Sequence, residues 1–157
     1  METERLSIRP LERGDLDAWA ALLADPEVTR LLHFADPHTH AESDALLDRT
    51  IARADGPVAM YTVIVRATGE VAGFVGYAPR TFDWGDELEL GWSLFPAHQG
   101  RGYATEAARA LREIVPGRVI ALIRVENDAS KNVARKLGME REREIVWNGF
   151  ATDLFAS

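Results

Sequence analysis

The stretch from His98 to Ala107 combines residue types that can bind an anion. Two glycines, Gly100 and Gly102, stand directly before an alanine-rich segment with helical periodicity. The first turn of a helix leaves backbone N–H groups unpaired and carries partial positive charge. Glycines let the backbone approach a phosphate closely, because they have no Cβ. The sequence therefore predicts a phosphate-binding loop at this helix N-terminus.

Three phosphate-loop patterns can be compared with this stretch. The P-loop needs a Lys-Ser/Thr pair where this chain has Tyr103 and Ala104, and the dinucleotide loop needs a third glycine where it has Thr105. The pattern Gln/Arg-x-x-Gly-x-Gly/Ala does fit, as Gln99, Gly102 and Ala104. The motif alone does not separate this interpretation from an ordinary glycine turn before a helix.

Two carboxylates precede the loop in a segment with strand character. Glu87 and Glu89 are two residues apart, and strand alternation puts both side chains on one face. An amine is mostly ammonium at neutral pH and must lose a proton before it can attack a carbonyl carbon. A carboxylate beside the anion site could accept that proton. The alternative, that both carboxylates face solvent at a sheet edge, stays open.

Composition limits the function classes. A chain of 157 residues with 46% hydrophobic residues is long enough for one domain with a core. The absence of cysteine excludes disulfides, thiolate nucleophiles and cysteine metal sites, and a net charge of −7 argues against nucleic-acid binding. Without a signal peptide or a membrane-spanning run, the predicted location is cytoplasmic. His33, His38 and His40 lack metal-ligand spacing, so we expect solvated loop histidines and no metal.

The apolar periodicity predicts an irregular alternation of strands and helices. Pro79 is expected to end a strand, with a loop over 80–86. Such an order suits an α/β domain of the mixed α+β kind over residues 1–157, with helices on both faces of the sheet. The strands are predicted at 5–10, 58–66, 71–77, 87–94, 118–125, 139–147 and 150–156. The helices are predicted at 15–24, 41–53, 104–115 and 128–137.

Several runs resemble one family, the GNAT N-acetyltransferases. The loop Gln99–Ala104 is similar to that family's acetyl-coenzyme A (acetyl-CoA) pyrophosphate loop. The run 127–139 resembles its second signature, Asn-x-x-Ser followed by Leu-Gly-Phe. The opening residues 8–28 and the closing residues 148–153 are similar to the branch that includes ribosomal-protein N-terminal acetyltransferases. The resemblance therefore covers essentially the whole chain.

The resemblance implies a fold and a cofactor site. It implies a mostly antiparallel sheet whose central parallel pair of strands splays apart, so that the pantetheine arm of acetyl-CoA enters the gap. A backbone N–H near Ser93 and Leu94 would stabilise the oxyanion. Arg101 would reach a phosphate, although a solvated loop position suits it equally well. The implied cofactor-binding residues are Trp92, Ser93, Leu94, Gln99, Gly100, Arg101, Gly102, Tyr103, Ala104, Thr105, Asn127 and Asn132.

The resemblance also implies catalytic residues. Glu89 matches the acidic position of the branch and is the first candidate for the base, with Glu87 the second. Many GNAT enzymes use a Tyr four residues before the final glycine as general acid, and this chain has Ala134 there. Ser130 is the substitute that the ribosomal-protein branch suggests. Its alternative role is helix capping within the first turn.

The expected activity is direct transfer of an acetyl group from acetyl-CoA to a primary amine. The acceptor is a protein N-terminus or a small molecule, nucleic acid and membrane are not expected as partners, and a homodimer stays open. Phe34, Phe82, Trp84 and Trp147 either shape an apolar acceptor pocket or pack as a local lid. The other functional alternatives are a different donor such as succinyl-CoA, a non-catalytic CoA-binding module, and a nucleotide-binding domain.

Overall fold

The computed structural model describes residues 1–34, 36–54, 56 and 58–157. They form one mixed α/β domain in the predicted order of elements, except for a short helix at Pro26–Thr29 that was not predicted. The helices are α1 (Leu16–Ala24), α2 (Pro26–Thr29), α3 (His40–Ala52), α4 (Tyr103–Ile114) and α5 (Asp128–Lys136). The strands are β1 (Leu6–Pro10), β2 (Ala59–Val65), β3 (Val71–Phe82), β4 (Gly85–Leu94), β5 (Ile120–Arg124), β6 (Glu140–Trp147) and β7 (Phe150–Ala156).

The seven strands form one sheet in the order β1-β2-β3-β4-β5-β7-β6. Neighbouring strands are antiparallel except for β4 and β5, which are parallel. This confirms the predicted mixed sheet with a central parallel pair. None of the helices formed by the described residues is long and apolar enough to cross a membrane.

Helices cover both faces of the sheet, as predicted. One core cluster joins the sheet to α4 and α5 through side chains such as Leu111 and Ala134, and it includes Val75 of β3. A second cluster joins the sheet to α1 and α3 through Trp19 and Leu47, and it includes Phe74. Because successive side chains of a strand point to opposite faces, Phe74 and Val75 mark the two sides of the sheet.

The parallel pair of strands separates soon after it meets. Among the described residues, β4 and β5 share one register pair, Glu89 with Ile120. Beyond it, β4 pairs with β3 and β5 pairs with β7. The edges that β4 and β5 turn towards each other therefore carry backbone groups that no ladder satisfies, and such groups need another partner.

The structure corrects the end of β3. Pro79 was expected to stop this strand, but β3 continues to Phe82, and β4 begins at Gly85 rather than after a loop over 80–86. The described register of β2 with β3 ends at Tyr77, so Pro79 has a single strand neighbour. A residue without N–H is tolerated where one edge of a strand is free. The longer hairpin brings Arg80 beside β4.

Local signals located one hairpin turn and the start of α3 correctly. Asn148 and Gly149 both have positive φ, 49° and 84°, as the predicted two-residue hairpin requires. Thr39 caps α3: its hydroxyl accepts from the backbone N–H of Glu42, and the Glu42 carboxylate accepts from the backbone N–H of Thr39. In α4, the last helical residue, Ile114, is 55% exposed although it is apolar.

Candidate active site

The glycine loop has the backbone geometry of an anion cradle. Gly100 and Gly102 have φ values of 72° and 82°, which side-chain-bearing residues rarely adopt. Gly102 is the N-cap of α4, and no side chain caps the first turn. A Cβ on Gly102 would lie 3.2 Å from Nη2 of Arg5. Among the described residues, no side chain therefore binds the first N–H groups of α4 as a cap.

Both ends of the loop are tied to the fold. Nε2 of Gln99 donates to the carbonyl of Leu94 at 3.0 Å, which fixes the loop to the end of β4. Arg5 donates to the carbonyl of Arg101 at 2.8 Å and to the carboxylate of Glu106 at 2.7 Å. Its guanidinium also lies 4.9 Å from the ring centroid of Tyr103. Sequence reasoning missed Arg5, because its contacts are about a hundred residues away.

A cavity of about 550 Å³ is lined by residues of both β4 and β5, the two strands that separate after Glu89 and Ile120. Trp92 and Ser93 of β4 line it, as do Asn127 and Ser130 at the start of α5. Leu94 lies outside the lining and contributes the carbonyl that Gln99 binds. The cavity thus lies between the end of β4, which precedes the glycine loop, and the first turn of α5. From the sequence, only the family resemblance placed these two segments close together.

Glu89 lines this cavity and is paired with Arg80. Nε of Arg80 donates to Oε2 of Glu89 at 2.5 Å, and the Glu89 side chain is 15% exposed. Burial raises the pKa of Glu89 above that of an ordinary glutamate, and the charge and hydrogen bond of Arg80 oppose the shift. A carboxylate with a raised pKa is a stronger base, which suits it to proton abstraction.

Glu87 occupies a different environment, although it shares a face of β4 with Glu89. Arg118 binds the Glu87 carboxylate at 3.0 Å with one side of its guanidinium and Glu142 at 2.7 Å with the other. Glu87 is outside the set of described residues that line the cavity. The two candidate bases are therefore separated by their partners, and Glu89 is the one beside the cavity.

Asn127 caps the first turn of α5. Its Oδ1 accepts from the backbone N–H of Ser130 at 3.0 Å. The Ser130 hydroxyl makes no hydrogen bond to the described residues, and it lines the cavity. Ala134, one turn later, is fully buried in the core. Asn132 is outside the lining and accepts from Arg135 at 2.9 Å.

His33 corrects the expectation of solvated loop histidines. It lines the cavity, and its Nε2 lies 3.0 Å from the hydroxyl of Thr152. That hydroxyl donates to the carbonyl of Phe150, so Nε2 of His33 is the donor in its own hydrogen bond. Burial, with the positive charges of Arg124 and Arg80, lowers the pKa of His33 to about 4. Its imidazole is therefore neutral at neutral pH.

Of the four aromatic residues named from the sequence, two line the cavity and two pack together at the β3–β4 turn. Phe34 and Trp147 line the cavity. Phe82 and Trp84 stack with ring centroids 4.4 Å apart, and Phe82 lies 5.1 Å from Trp147. The β3–β4 turn thus packs against the β6–β7 hairpin. Over the described ranges there is also no cluster of three or more potential metal-ligating side chains.

A phosphate cradle, an unpaired strand edge and a buried carboxylate suit a long ligand with an anionic end and a reacting end in the cavity. Comparison with known proteins agrees with this arrangement. The family model described as "Acetyltransferase (GNAT) domain" matches residues 5–140. The uncharacterized N-acetyltransferase p20 of Bacillus licheniformis is 29% identical over 147 residues, which are 89% of this chain and 82% of the relative.

Solved structures carry the same fold. A putative GnaT-family acetyltransferase from Bordetella pertussis has a TM-score of 0.82 and 27% identity, covering 99% of this chain and 97% of that one. A ribosomal-protein alpha-N-acetyltransferase in complex with coenzyme A has a TM-score of 0.80 and 21% identity, covering 99% and 94%. The spermidine N-acetyltransferase of Vibrio cholerae, with CoA and spermine, has 0.78 and 20%, covering 98% and 94%. The chain belongs to the GNAT acetyltransferase family, whose members are acetyl-CoA-dependent acyltransferases.

Proposed function

We propose that this GNAT acetyltransferase moves the acetyl group of acetyl-CoA to a primary amine by direct transfer within a ternary complex. One observation carries the proposal. The buried carboxylate of Glu89 lies on β4 at its register pair with β5, and the glycine loop at the N-terminus of α4 follows the end of the same strand. A donor bound at the loop can therefore extend along β4 towards a base.

The residues of the loop and of β4 fit acetyl-CoA. The pyrophosphate would bind the backbone N–H groups of residues 100–105, where Gly100 and Gly102 keep the approach open. The pantetheine arm would pair with the free backbone edge of Trp92, Ser93 and Leu94, as an added strand does. Asn127, beside the cavity, is better positioned for the arm than Asn132, whose amide oxygen already accepts from Arg135.

Glu89 would act as the base. The acceptor ammonium gives up a proton, directly or through a water molecule, and its lone pair forms the new C–N bond at the thioester carbonyl carbon. The backbone N–H groups near Ser93 and Leu94 would stabilise the oxyanion. The raised pKa of Glu89 brings its basicity closer to that of the amine, which favours this transfer.

Ser130 would protonate the leaving thiolate when the C–S bond breaks. Its hydroxyl faces the cavity one helical turn before Ala134, the position where many relatives carry a tyrosine. The capping role belongs to Asn127, which leaves the Ser130 hydroxyl available. The nitrogen would lose two protons: the first goes to Glu89 and is released, and the second, lost when the tetrahedral intermediate collapses, replaces the proton that Ser130 gives to the thiolate. The products are then the acetylated amine, CoA with its thiol protonated, and one proton.

A thiol-release assay tests the proposal. Purified protein is incubated with acetyl-CoA and primary amines, including peptides with free N-termini, and the acetylated product is identified by mass. Amine-dependent release of CoA supports direct transfer. Binding of CoA without release for any amine would favour a non-catalytic CoA-binding module. Faster release from succinyl-CoA than from acetyl-CoA would change the donor and leave the acceptor chemistry intact.

A further inference from the structure

The part of the cavity beyond Glu89 is lined by apolar side chains from α1, α3 and the sheet. Trp19, Leu22 and Leu23 of α1 meet Leu46 of α3 there, and Phe74 of β3 forms the floor. Trp19 and Phe74 pack edge to face with ring centroids 4.9 Å apart. We call this region the acceptor pocket, and its lining suits a hydrocarbon or aromatic group.

The charge lining the cavity is positive, in contrast to the whole chain. Among the described residues, the charged side chains of the lining are Arg53, Arg80 and Glu89. The Glu89 carboxylate is bound by Arg80 at 2.5 Å. The positive charge of Arg53 is therefore not balanced by a carboxylate of this described lining. The lowered pKa of His33 agrees with this: burial is the main cause, and the charges of Arg124 and Arg80 lower the pKa further against the opposing charge of Glu126.

Three acidic residues, two in α3 and one after β5, are paired with arginines outside the lining. Asp44 and Asp48 of α3 both pair with Arg13, at 2.6 and 2.7 Å. Glu126 pairs with Arg124 at 2.5 Å. Despite the net charge of −7, the part of the chain that the structure describes places no carboxylate in the lining other than Glu89, which Arg80 binds. A second ammonium group in the pocket would be desolvated without a counter-ion, which is unfavourable.

We infer that the acceptor is a monoamine with an apolar or aromatic body, whose far end is neutral or anionic rather than a second ammonium. A carboxylate at that end would be attracted by Arg53, since Arg80 is bound by Glu89. Polycationic amines such as spermidine, the substrate class named for one structural neighbour, are excluded by the same charges. This inference rests on the proposed acetyl transfer, because it assumes that the acceptor occupies this pocket.

Three amines of equal chain length test the inference. Hexylamine, ε-aminocaproate and hexamethylenediamine differ in their far ends, which are a methyl group, a carboxylate and an ammonium; spermidine is added as a polyamine. Binding of each amine to the CoA-saturated protein is measured by calorimetry, and kcat/KM is measured with acetyl-CoA. We expect hexylamine and ε-aminocaproate to exceed both polycations by at least about tenfold in both measurements.

A charge reversal supplies the matched control. Arg53→Glu changes a residue of the lining, whereas Arg49→Glu makes the same change at an exposed residue of α3 outside the lining. We expect Arg53→Glu to reduce the preference for ε-aminocaproate over the diamine at least about fivefold, and Arg49→Glu to leave it unchanged. Equal effects of the two variants would contradict an origin in the pocket.

The outcomes separate the inference from the proposed function. Diamine or spermidine binding as tightly as hexylamine overturns the inference, and so does the absence of binding by all four amines. Acetylation of the polycations in preference to the others overturns the inference and leaves the transfer mechanism standing. Binding in the expected order without any acetylation supports the pocket assignment and contradicts the proposed transfer.

Discussion

Arg80 and Glu89 form an ion pair that runs diagonally across the β3–β4 hairpin. In the register, Arg80 lies opposite Glu87 and Ala78 lies opposite Glu89, yet the Arg80 guanidinium donates to Glu89. Diagonal neighbours are within reach of long side chains. Because Arg118 binds Glu87 from the other side, Arg80 is directed to the carboxylate beside the cavity. Glu89, the proposed base, and Glu87, two residues away, therefore have different arginine partners.

Substitution of Glu89 removes the proposed base. We expect Glu89→Gln to lower kcat by about 10²- to 10⁴-fold, the usual contribution of general base catalysis, with little change in the Kd of acetyl-CoA. Glu87→Gln is the matched control, because it makes the same change on the same face of β4. Steady-state kinetics and calorimetry provide both quantities. A larger loss of kcat in Glu87→Gln would transfer the role of base to Glu87.

The pH profile reports the environment of Glu89. The carboxylate must be deprotonated to act as base, and burial raises its pKa, so the acidic limb of kcat/KM should lie above the range of an ordinary glutamate. Arg80 opposes that shift. Arg80→Gln should therefore move the acidic limb to higher pH. An acidic limb that moves to lower pH, or that stays in place, would show that the limb reports another group.

The loop glycines should matter for cofactor affinity. Gly102 has a φ of 82°, and a side chain in this region costs about 1 to 3 kcal/mol. Gly102→Ala should raise the Kd of acetyl-CoA about tenfold or more, because the loop must shift to relieve this strain. Gly69→Ala, at φ 75° in the β2–β3 turn, provides the control for strain. It should lower the melting temperature and leave the Kd unchanged.

A buried aspartate contributes to stability far from the cavity. Asp15 is 4% exposed, accepts from Arg9 at 2.7 and 2.8 Å, and accepts from Thr62 at 2.7 Å. Because the Arg9 side chain is 35% exposed, we expect Asp15→Asn to cost about 2 kcal/mol rather than the larger loss of a fully buried pair. Chemical unfolding checks this, with exposed Asp17→Asn, which should change little, as the control.

The effect of Asp15 should depend on pH in a defined direction. Burial raises the pKa of Asp15, but the hydrogen bonds from Arg9 and Thr62 outweigh burial and lower it. A carboxyl whose folded-state pKa is below its unfolded value stabilises the fold above the unfolded value, and the stabilisation is lost as the pH falls through the folded value. The difference between wild type and Asp15→Asn should therefore shrink in acid. A difference that grows in acid would contradict the assignment.

Elements with local signals were predictable from the sequence. The glycine loop and the Asn148–Gly149 turn depend on backbone conformations that a few residues determine. The predicted start of α5 at residue 128 was confirmed, and Asn127 directly before it is the cap, since capping depends on residues within one turn. The alternation of β4 likewise predicted a shared face for Glu87 and Glu89.

The features that were predicted wrongly or missed depend on residues that are distant in the sequence. The strand continues through Pro79 because the described pairing of β2 has ended by then, and this cannot be seen in the sequence around Pro79. Arg80 was consequently assigned to a loop, and its pairing with Glu89 was missed. His33 is beside the cavity because it bonds to Thr152, which is 119 residues away. Such burial is decided by tertiary packing rather than by local pattern.

The central claim is that the glycine loop and the free edge of β4 bind acetyl-CoA, and thermal unfolding with added ligands tests it most directly. Acetyl-CoA, CoA, ATP and NAD are each added at about 100 times a typical Kd, where a ligand of the folded state adds about 2.7 kcal/mol. The account predicts that acetyl-CoA and CoA raise Tm by about 5 to 10 °C, with no comparable shift from the others. A shift with ATP or NAD and none with either CoA species would contradict it.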